Sequence, residues 1–354
     1  MASLVVSTAP GKADALAPPL VTQNRPASDW LLGPWWDAIL IANIGWPLVL
    51  WWQFGEGFSG RDGVQFWQIY FLTTPHRWIT LALVLLDPQR MRGRGGLFLL
   101  LAAAVVVVCL GVRLTTGTLL CLLTIDYLWN AWHFAAQHHG IYRIYDRRTA
   151  TSAIAGSLSE KWGLRLLLLY VIVRIAGGTW VYPRLEQVLG ALDWAAVAVA
   201  GWLAWRDLAT KTRSRPRTLY LLSMLLLYVS LLLAVHFHQP ALVLSLATAS
   251  AMFHASEYLA LVTWSVQQRA GETPSPRAVP GRLAASWGLM LLTFIVVLGS
   301  GGWLLERQWL QPWLTLNLIV AFLHYAYDGL LWRRGRPVPG TAAVPAPAVA
   351  LYKV

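Results

Sequence analysis

The sequence predicts an all-α protein, a polytopic bundle of about ten transmembrane helices, and three observations lead to that prediction. Hydrophobic residues make up 57% of the 354 residues and charged residues only 12%, which is about half the charged fraction of a soluble domain. Apolar runs of the ~20 residues needed to cross a hydrocarbon core recur from Trp30 to Trp332. Basic residues, finally, concentrate in alternate loops, as they do in membrane proteins.

The predicted helices follow one another with short polar connections, so one integral-membrane domain is expected to occupy residues 30–333. Their expected positions are 31–54, 65–86, 97–112, 117–139, 164–182, 188–205, 218–237, 241–264, 283–304 and 312–332. Residues 1–29 lack an apolar stretch before a small-residue cleavage site, which predicts a disordered cytoplasmic tail and not a signal peptide. The Pro/Ala-rich residues 334–354 predict a second disordered tail.

The distribution of charge predicts the orientation. With a cytoplasmic N-terminus, the 28 Lys and Arg residues divide into 22 in cytoplasmic segments, 4 in outer loops and 2 within spans. This bias predicts that both termini are cytoplasmic and that the protein lies in a bacterial-type inner membrane. The net charge of +12 therefore belongs to loops, and a nucleic-acid partner is not expected.

Two common kinds of site are not predicted. Cys109 and Cys121 both fall in apolar runs, so neither a disulfide framework nor a thiolate metal site is expected. The sequence also has no glycine-rich nucleotide-binding fingerprint after a strand pattern. Any reductant would therefore have to come from a separate protein or from quinol.

Ionisable residues cluster in four predicted helices that all run in the same direction. Each costs at least ~2.5 kcal/mol to insert, so a cluster of them calls for a partner or a function. At ~1.5 Å rise per residue, six of these groups can converge within a slab about 15 Å thick, namely His76, His133, His254, Glu257, His324 and Asp328. The residues of the whole cluster are His76 and Arg77 in the second helix, Asp126, Asn130, His133, His138 and His139 in the fourth, His254 and Glu257 in the eighth, and His324 and Asp328 in the tenth.

Imidazole and carboxylate together form the ligand set of non-haem iron, manganese and zinc. We therefore expect a metal centre of one or two iron ions, with manganese or zinc as alternatives. A purely hydrogen-bonded polar core and a proton or ion path are the competing interpretations. The expected metal ligands are His76, His133, His138, His139, His254, Glu257, His324 and Asp328, and the expected catalytic residues are Asp126, Asn130 and Glu257.

The stretch Trp132, His133, Phe134, Ala135, Ala136, Gln137, His138, His139, Gly140 resembles a histidine box of the membrane non-haem di-iron enzymes, the desaturase, hydroxylase and alkane monooxygenase group. That group pairs boxes of more closely spaced histidines, and here the gap from His133 to His138 is one residue wider. A second likeness is to the membrane-embedded carotenoid-cleaving dioxygenases of bacteria, which also use several intramembrane histidines. These resemblances imply an iron-dependent enzyme that acts on a lipophilic molecule.

Two arginines are candidates for substrate binding. Arg143, in the basic segment after the fourth helix, could capture a phosphate or carboxylate headgroup, although such residues commonly serve topology or lipid contact. Arg174, in the fifth helix, could bind an anionic substrate group or pair with Asp126, and the alternative is a buried ion pair that holds helices together. His236 and His238 are expected to be interfacial residues or to form a second polar site.

The function expected from these patterns is a membrane-bound, metal-dependent oxidoreductase, an oxygenase that acts on a lipid, fatty acyl chain or isoprenoid in a water-excluding pocket. Its expected partners are that substrate, membrane lipids and an external electron donor. A metal-ion or proton-coupled transporter is the first alternative, because His324 and Asp328 resemble the zinc-site pattern of cation-diffusion carriers. A metal-free membrane acyltransferase using Asn130 and His133 is the second. A haem protein is disfavoured, because no span has the histidine spacing of stacked bis-haem sites.

Overall fold

The computed structural model of this protein describes residues 28–54, 63–86, 94–149, 158–177, 183–210, 214–272 and 279–332. Every regular element within these ranges is a helix, so the all-α prediction is confirmed. The predicted tails, residues 1–29 and 334–354, lie almost entirely outside the described residues. Their predicted disorder and boundaries are therefore not tested.

The helices of the described part form a single series along the chain. In order they are α1 (Pro34–Trp36), α2 (Trp46–Phe54), α3 (Val64–Trp67), α4 (Thr74–Leu86), α5 (Gly95–Thr116), α6 (Leu120–Thr149), α7 (Leu158–Gly177), α8 (Pro183–Ala209), α9 (Arg215–His236), α10 (Pro240–Glu272), α11 (Val279–Gln308) and α12 (Leu310–Leu331). A π-helical turn, Asp37–Ile41, follows α1, and another, Gln68–Thr73, joins α3 to α4.

Five helices in the described part are long and apolar enough to cross a membrane. These are Gly95–Thr116, Leu185–Ala209, Arg215–His236, Ser286–Gln308 and Leu310–Leu331, which supports a membrane protein. Helices α6 and α10, with 30 and 33 residues, exceed the length that a span requires. Their lower apolar content reflects the histidines and acids that they carry.

The first predicted helix, 31–54, is broken in the structure. Its helical parts are separated at Asn43, whose φ of 45° is a left-handed conformation that asparagine tolerates better than most residues. The Asn43 amide donates to the Leu40 carbonyl (2.9 Å) and to the Ser256 hydroxyl (2.8 Å). Hydropathy alone predicted a continuous helix because it contains no information about this hydrogen-bonded break.

The second predicted helix contains a π-helical turn next to a proline. Pro75 has no N–H to donate and its ring would clash with the carbonyl four residues earlier. The π turn Gln68–Thr73 ends immediately before α4, which places Pro75 in the first turn of that helix, where an N–H is not needed. The local sequence thus sets the backbone geometry just before His76.

One predicted helix ends ten residues later than expected. The fourth was predicted to end at residue 139, but α6 continues to Thr149. Its extension is stabilised by packing, because Ile141, Tyr142 and Tyr145 are all buried. A prediction based on apolar run length misses an extension that alternates buried and charged side chains.

Helices α9, α10 and α12 form the centre of the bundle. Tyr220 and Tyr228 of α9 are fully buried, as is His254 of α10. Leucines of α5 and α11, such as Leu99 and Leu289, are instead 68% and 70% exposed, on surfaces that lipid would cover. The most polar helices therefore lie inside a layer of apolar ones.

Helix α11 packs closely against the π turn Gln68–Thr73, and this contact leaves no room for a side chain at Gly299. An added Cβ at Gly299 would lie 2.8 Å from the Tyr70 carbonyl oxygen and 2.7 Å from Cδ1 of Phe71, whereas one at Gly301 meets nothing within 4 Å. Gly299→Ala should lower the free energy of unfolding by about 1–3 kcal/mol because the helices must separate. Gly301→Ala is the matched control and should be neutral or slightly stabilising.

Thermal or denaturant unfolding of both variants in the same detergent measures this difference. Equal effects of the two substitutions would show that the α11 contact is not tightly packed.

Candidate metal centre

Four histidine side chains from four helices form a closed ring. His76 comes from α4, His133 from α6, His254 from α10 and His324 from α12, and none is more than 5% exposed. The distances between neighbouring ring centroids are 5.1 Å (His76 to His254), 5.0 Å (His76 to His324), 5.1 Å (His133 to His254) and 4.7 Å (His133 to His324). Neighbouring planes meet at 72–86°. We call this arrangement the histidine ring.

A backbone carbonyl orients the His76 side chain. The carbonyl oxygen of Thr73, the last residue of the π turn, lies 2.6 Å from His76 Nδ1. A carbonyl can only accept, so Nδ1 carries the proton and Nε2 keeps its lone pair. That Nε2 is buried and has no hydrogen-bond partner among the described residues.

A series of hydrogen-bonded side chains orients His324. The Tyr258 hydroxyl donates to Asp328 Oδ1 at 2.5 Å, so it must accept from the Thr80 hydroxyl, 2.7 Å away. The Thr80 oxygen then accepts from His324 Nδ1, also at 2.7 Å. The proton of His324 is thereby held on Nδ1, and its Nε2 presents a lone pair to the ring.

The other two members of the ring are positioned differently. His254 stacks on Phe134, with centroids 3.6 Å apart and planes at 18°, and both of its nitrogens are buried without a hydrogen-bond partner in the described ranges. His133 Nε2 lies 3.1 Å from His324 Nε2. Buried unpaired polar atoms are costly in a low-dielectric interior, so His76 Nε2 and the two nitrogens of His254 require a further partner.

A metal ion fits this donor set. Two nitrogens that each bind one ion at about 2.1 Å, at right angles, are about 3.0 Å apart, close to the separation of His133 Nε2 and His324 Nε2. One nitrogen from each of His76, His254 and His324 lies within 4.8 Å of the others. Asp328 adds a carboxylate oxygen, with Oδ2 3.9 Å from His133 Nε2, and ligand atoms of His133, His324 and Asp328 lie within 4.8 Å of one another. Neutral imidazoles of this kind suit iron, zinc or copper.

His138 and Glu257 form a hydrogen-bonded network beside the ring. Ser250 donates to the Tyr228 hydroxyl (2.9 Å), which leaves that hydroxyl to donate to His138 Nε2 (3.1 Å). His138 Nδ1 then faces Glu257 Oε1 at 3.1 Å, and Gln137 donates to Glu257 Oε2 at 3.0 Å. Ligand atoms of His138, His254 and Glu257 do lie within 4.8 Å of one another, but both nitrogens of His138 already have partners.

Two predicted catalytic residues, Asp126 and Asn130, contact Tyr325 of α12. The Tyr325 hydroxyl lies 3.0 Å from Asp126 Oδ1 and 3.1 Å from Asn130 Oδ1, and its single proton is shared between these two acceptors. The Tyr325 ring lies 5.1 Å from the His133 ring. Asp126 also interacts electrostatically with Arg77. These residues contact the ring through Tyr325, and their catalytic role stays a prediction.

His139 and Arg143 lie towards the end of α6. His139 is buried near the cationic side chains of Arg165 and Arg143 and is absent from the groups of clustered ligand atoms in the described residues. Arg143 pairs with Asp146, which also accepts from Arg217 at 2.8 Å. Neither the metal-binding prediction for His139 nor the headgroup prediction for Arg143 is tested by this placement.

Arg174 belongs to a second polar cluster, formed by α7, α8 and α9. Its guanidinium donates to Asp193 (3.2 Å) and Glu186 (3.1 Å), so it pairs with these acids and not with Asp126. His236 Nδ1 lies 3.0 Å from Asp193 Oδ2, and His238 Nε2 is 3.9 Å from Glu186. His236 and His238 thus belong to a polar site outside the histidine ring.

Several residues that hold the ring were not predicted from the sequence. Thr80 lies four residues after His76, and Tyr258 lies four residues after His254, so each shares a helix face with a histidine. That spacing was the available signal. The partners that Tyr228 and Tyr220 provide to His138 come from α9, and no spacing within α6 could have indicated them.

Comparisons of the chain with family models, curated proteins and solved structures return no match. The site is therefore interpreted from its own geometry.

The Thr80 hydroxyl is predicted to stabilise the fold through two hydrogen bonds. Thr80→Val keeps the side-chain shape but leaves His324 Nδ1 and the Tyr258 hydroxyl each short of a partner, which should cost about 1–3 kcal/mol. Thr80→Ser keeps the hydroxyl and is the control. Unfolding in detergent compares the two, and a valine variant as stable as the serine variant would contradict the proposed hydrogen-bond chain.

Proposed function

We propose that this protein is an integral-membrane, non-haem iron oxygenase that acts on a lipophilic substrate such as a lipid, fatty acyl chain or isoprenoid. The observation that carries the proposal is the histidine ring, in which hydrogen bonds at Nδ1 leave the Nε2 lone pairs of His76 and His324 directed into a buried donor set. Manganese and zinc are the alternative metals, because similar ligands accept them.

The bound iron would activate dioxygen. The residues of the chain would orient the metal ligands and exclude water. Thr73 and Thr80 fix the orientation of two ligands, as outer hydrogen bonds do in many metal sites. Phe134 and the buried faces of the four helices exclude water, which would protect reactive species from side reactions. A lipophilic substrate would reach this apolar interior from the surrounding lipid.

The geometry favours a site for one ion. The histidine ring offers unpaired nitrogens, whereas His138 Nε2 already accepts from Tyr228 and Nδ1 faces Glu257. A second ion at His138, His254 and Glu257 would have to displace these hydrogen bonds. We therefore assign His138 and Glu257 to the hydrogen-bonded network beside the ring and propose a mononuclear centre.

A fixed site is also favoured over a transport path. Every member of the ring is at least 95% buried. Two are held by hydrogen bonds, His76 to Thr73 of the preceding π turn and His324 to Thr80 of α4. A carrier must open its binding site alternately to each side, and its ligands commonly lie on broken helices. The helices α6, α10 and α12, which carry three of the four histidines, are continuous.

The proposed setting is a bacterial-type inner membrane, with about ten spans and both termini cytoplasmic. Five apolar helices support a membrane location, and the asymmetry of basic residues along the sequence supports the orientation. Insertion of one oxygen atom into a C–H bond would require electrons from a separate donor. Addition of both oxygen atoms across a carbon–carbon double bond would require none.

The first test of this function is metal content. His133→Ala and His254→Ala should each reduce bound iron from about one ion per chain to near zero, because a three-ligand remnant binds far more weakly. His238→Asn is the control, since His238 is exposed and asparagine tolerates its positive φ of 54°. Elemental analysis of the purified proteins decides this, and unchanged iron in both alanine variants would refute the site.

The second test is oxygen chemistry. Iron-loaded protein should incorporate label from ¹⁸O₂ into an isoprenoid polyene or a fatty acyl ester presented in detergent, and the His254→Ala variant should not. Incorporation without added reductant would indicate a dioxygenase, and dependence on reductant a monooxygenase. A protein that holds iron but labels neither substrate class would require another function for the centre.

A further inference from the structure

A lipid-facing groove runs between α7 and α8, away from the histidine ring. Its volume is about 510 Å³. Except for Tyr170 and Arg174 its walls are aliphatic, and Leu166 and Leu185 are 53% and 43% exposed, so the groove is open to the lipid side. The aliphatic residues are Leu166, Leu169, Val173, Leu185 and Leu189.

One charged side chain is buried at the wall of this groove. Arg174 is 3% exposed, and two of its three guanidinium nitrogens are paired: Nε donates to Asp193, and Nη2 donates to Glu186 and Asp193. The third nitrogen, Nη1, is buried and has no hydrogen-bond partner among the described residues. A charged N–H without an acceptor is costly at membrane depth.

The charges around Arg174 select the kind of acceptor. Asp193 and Glu186 together outweigh the single positive charge of the guanidinium, so a further anion would be repelled. Asp193 also accepts from the Tyr170 hydroxyl (2.6 Å) and contacts His236 (3.0 Å), which leaves it saturated. The unpaired Nη1 amino group of Arg174 is therefore suited to donate to a neutral oxygen, such as the carbonyl of an ester.

The polar and apolar residues of the groove follow one another along α7. Arg174 lies eight residues after Leu166 on this helix, which is about 12 Å along the helix axis. The polar and apolar parts of the groove thus follow the order of an ester and its acyl chain.

We propose that this groove binds the fatty acyl ester of a membrane glycerolipid, with the ester carbonyl accepting a hydrogen bond from Arg174 Nη1 and the acyl chain lying along Leu169 and Leu166. The site is independent of the proposed oxygenase function. It gives Arg174 a role in lipid binding in addition to its ion pairs with α8.

The test compares two lipids on the full-length, delipidated protein by native mass spectrometry. Dioleoyl phosphatidylcholine should bind at one saturable site, and the diether analogue with the same chains but no carbonyls should bind about 10- to 100-fold more weakly, the loss expected for a charge-assisted hydrogen bond. Equal affinities would overturn the proposal, and so would preferential binding of decylubiquinone, which would make a quinone the occupant.

Variants locate the site without relying on Arg174 alone. Leu189→Trp should fill the groove and abolish the saturable site, whereas Leu192→Trp, on the same helix but 47% exposed and outside the groove, should bind like the wild type. Arg174→Met should reduce diester affinity to that of the diether. Retention of the site in Leu189→Trp would overturn the proposal, and bound iron should stay unchanged in Leu189→Trp and Leu192→Trp.

Discussion

Burial of four imidazole rings at one point is the constraint on which the rest of this structure depends. Each ring nitrogen within a bilayer protein needs a proton acceptor, a proton donor or a metal ion. The protein provides acceptors at Nδ1 of His76 and His324, and these fix the tautomers before any ion is considered. Within the ring, His76 Nε2 and both nitrogens of His254 have no hydrogen-bond partner among the described residues, and the metal proposal follows from this incomplete pairing.

The hydrogen bonds that hold the ring depend on local features of the helices. Pro75 places a π turn before α4, and the last carbonyl of that turn, at Thr73, accepts from His76. π turns frequently occur at functional sites, and here the turn orients a candidate ligand. Thr80, one turn further along α4, orients His324 on a different helix. The π turn and α4 together thus supply one candidate ligand and the hydrogen-bond partners that orient two.

Helix α9 connects two polar sites of different character. Its Tyr228 donates to His138 beside the histidine ring, and its His236 contacts Asp193 in the cluster around Arg174. The first site is enclosed and built mainly from neutral groups, which suits a bound cation. The second contains paired charges beside a groove open to lipid, which suits a neutral acceptor. The same membrane constraint, that polar atoms must be paired, leads to a different proposed ligand in each case.

The sequence by itself determined the all-α class, the membrane character and the candidate histidines, because apolar run length and buried ionisable groups are properties of each segment alone. It predicted the first helix wrongly, since the break at Asn43 depends on Ser256 of α10. It also grouped His138 and His139 with His133, although they lie five and six residues further along α6 and face different neighbours. Only the tertiary structure decided which side chains meet, because hydrogen-bond partners from separate helices leave no spacing pattern in the chain.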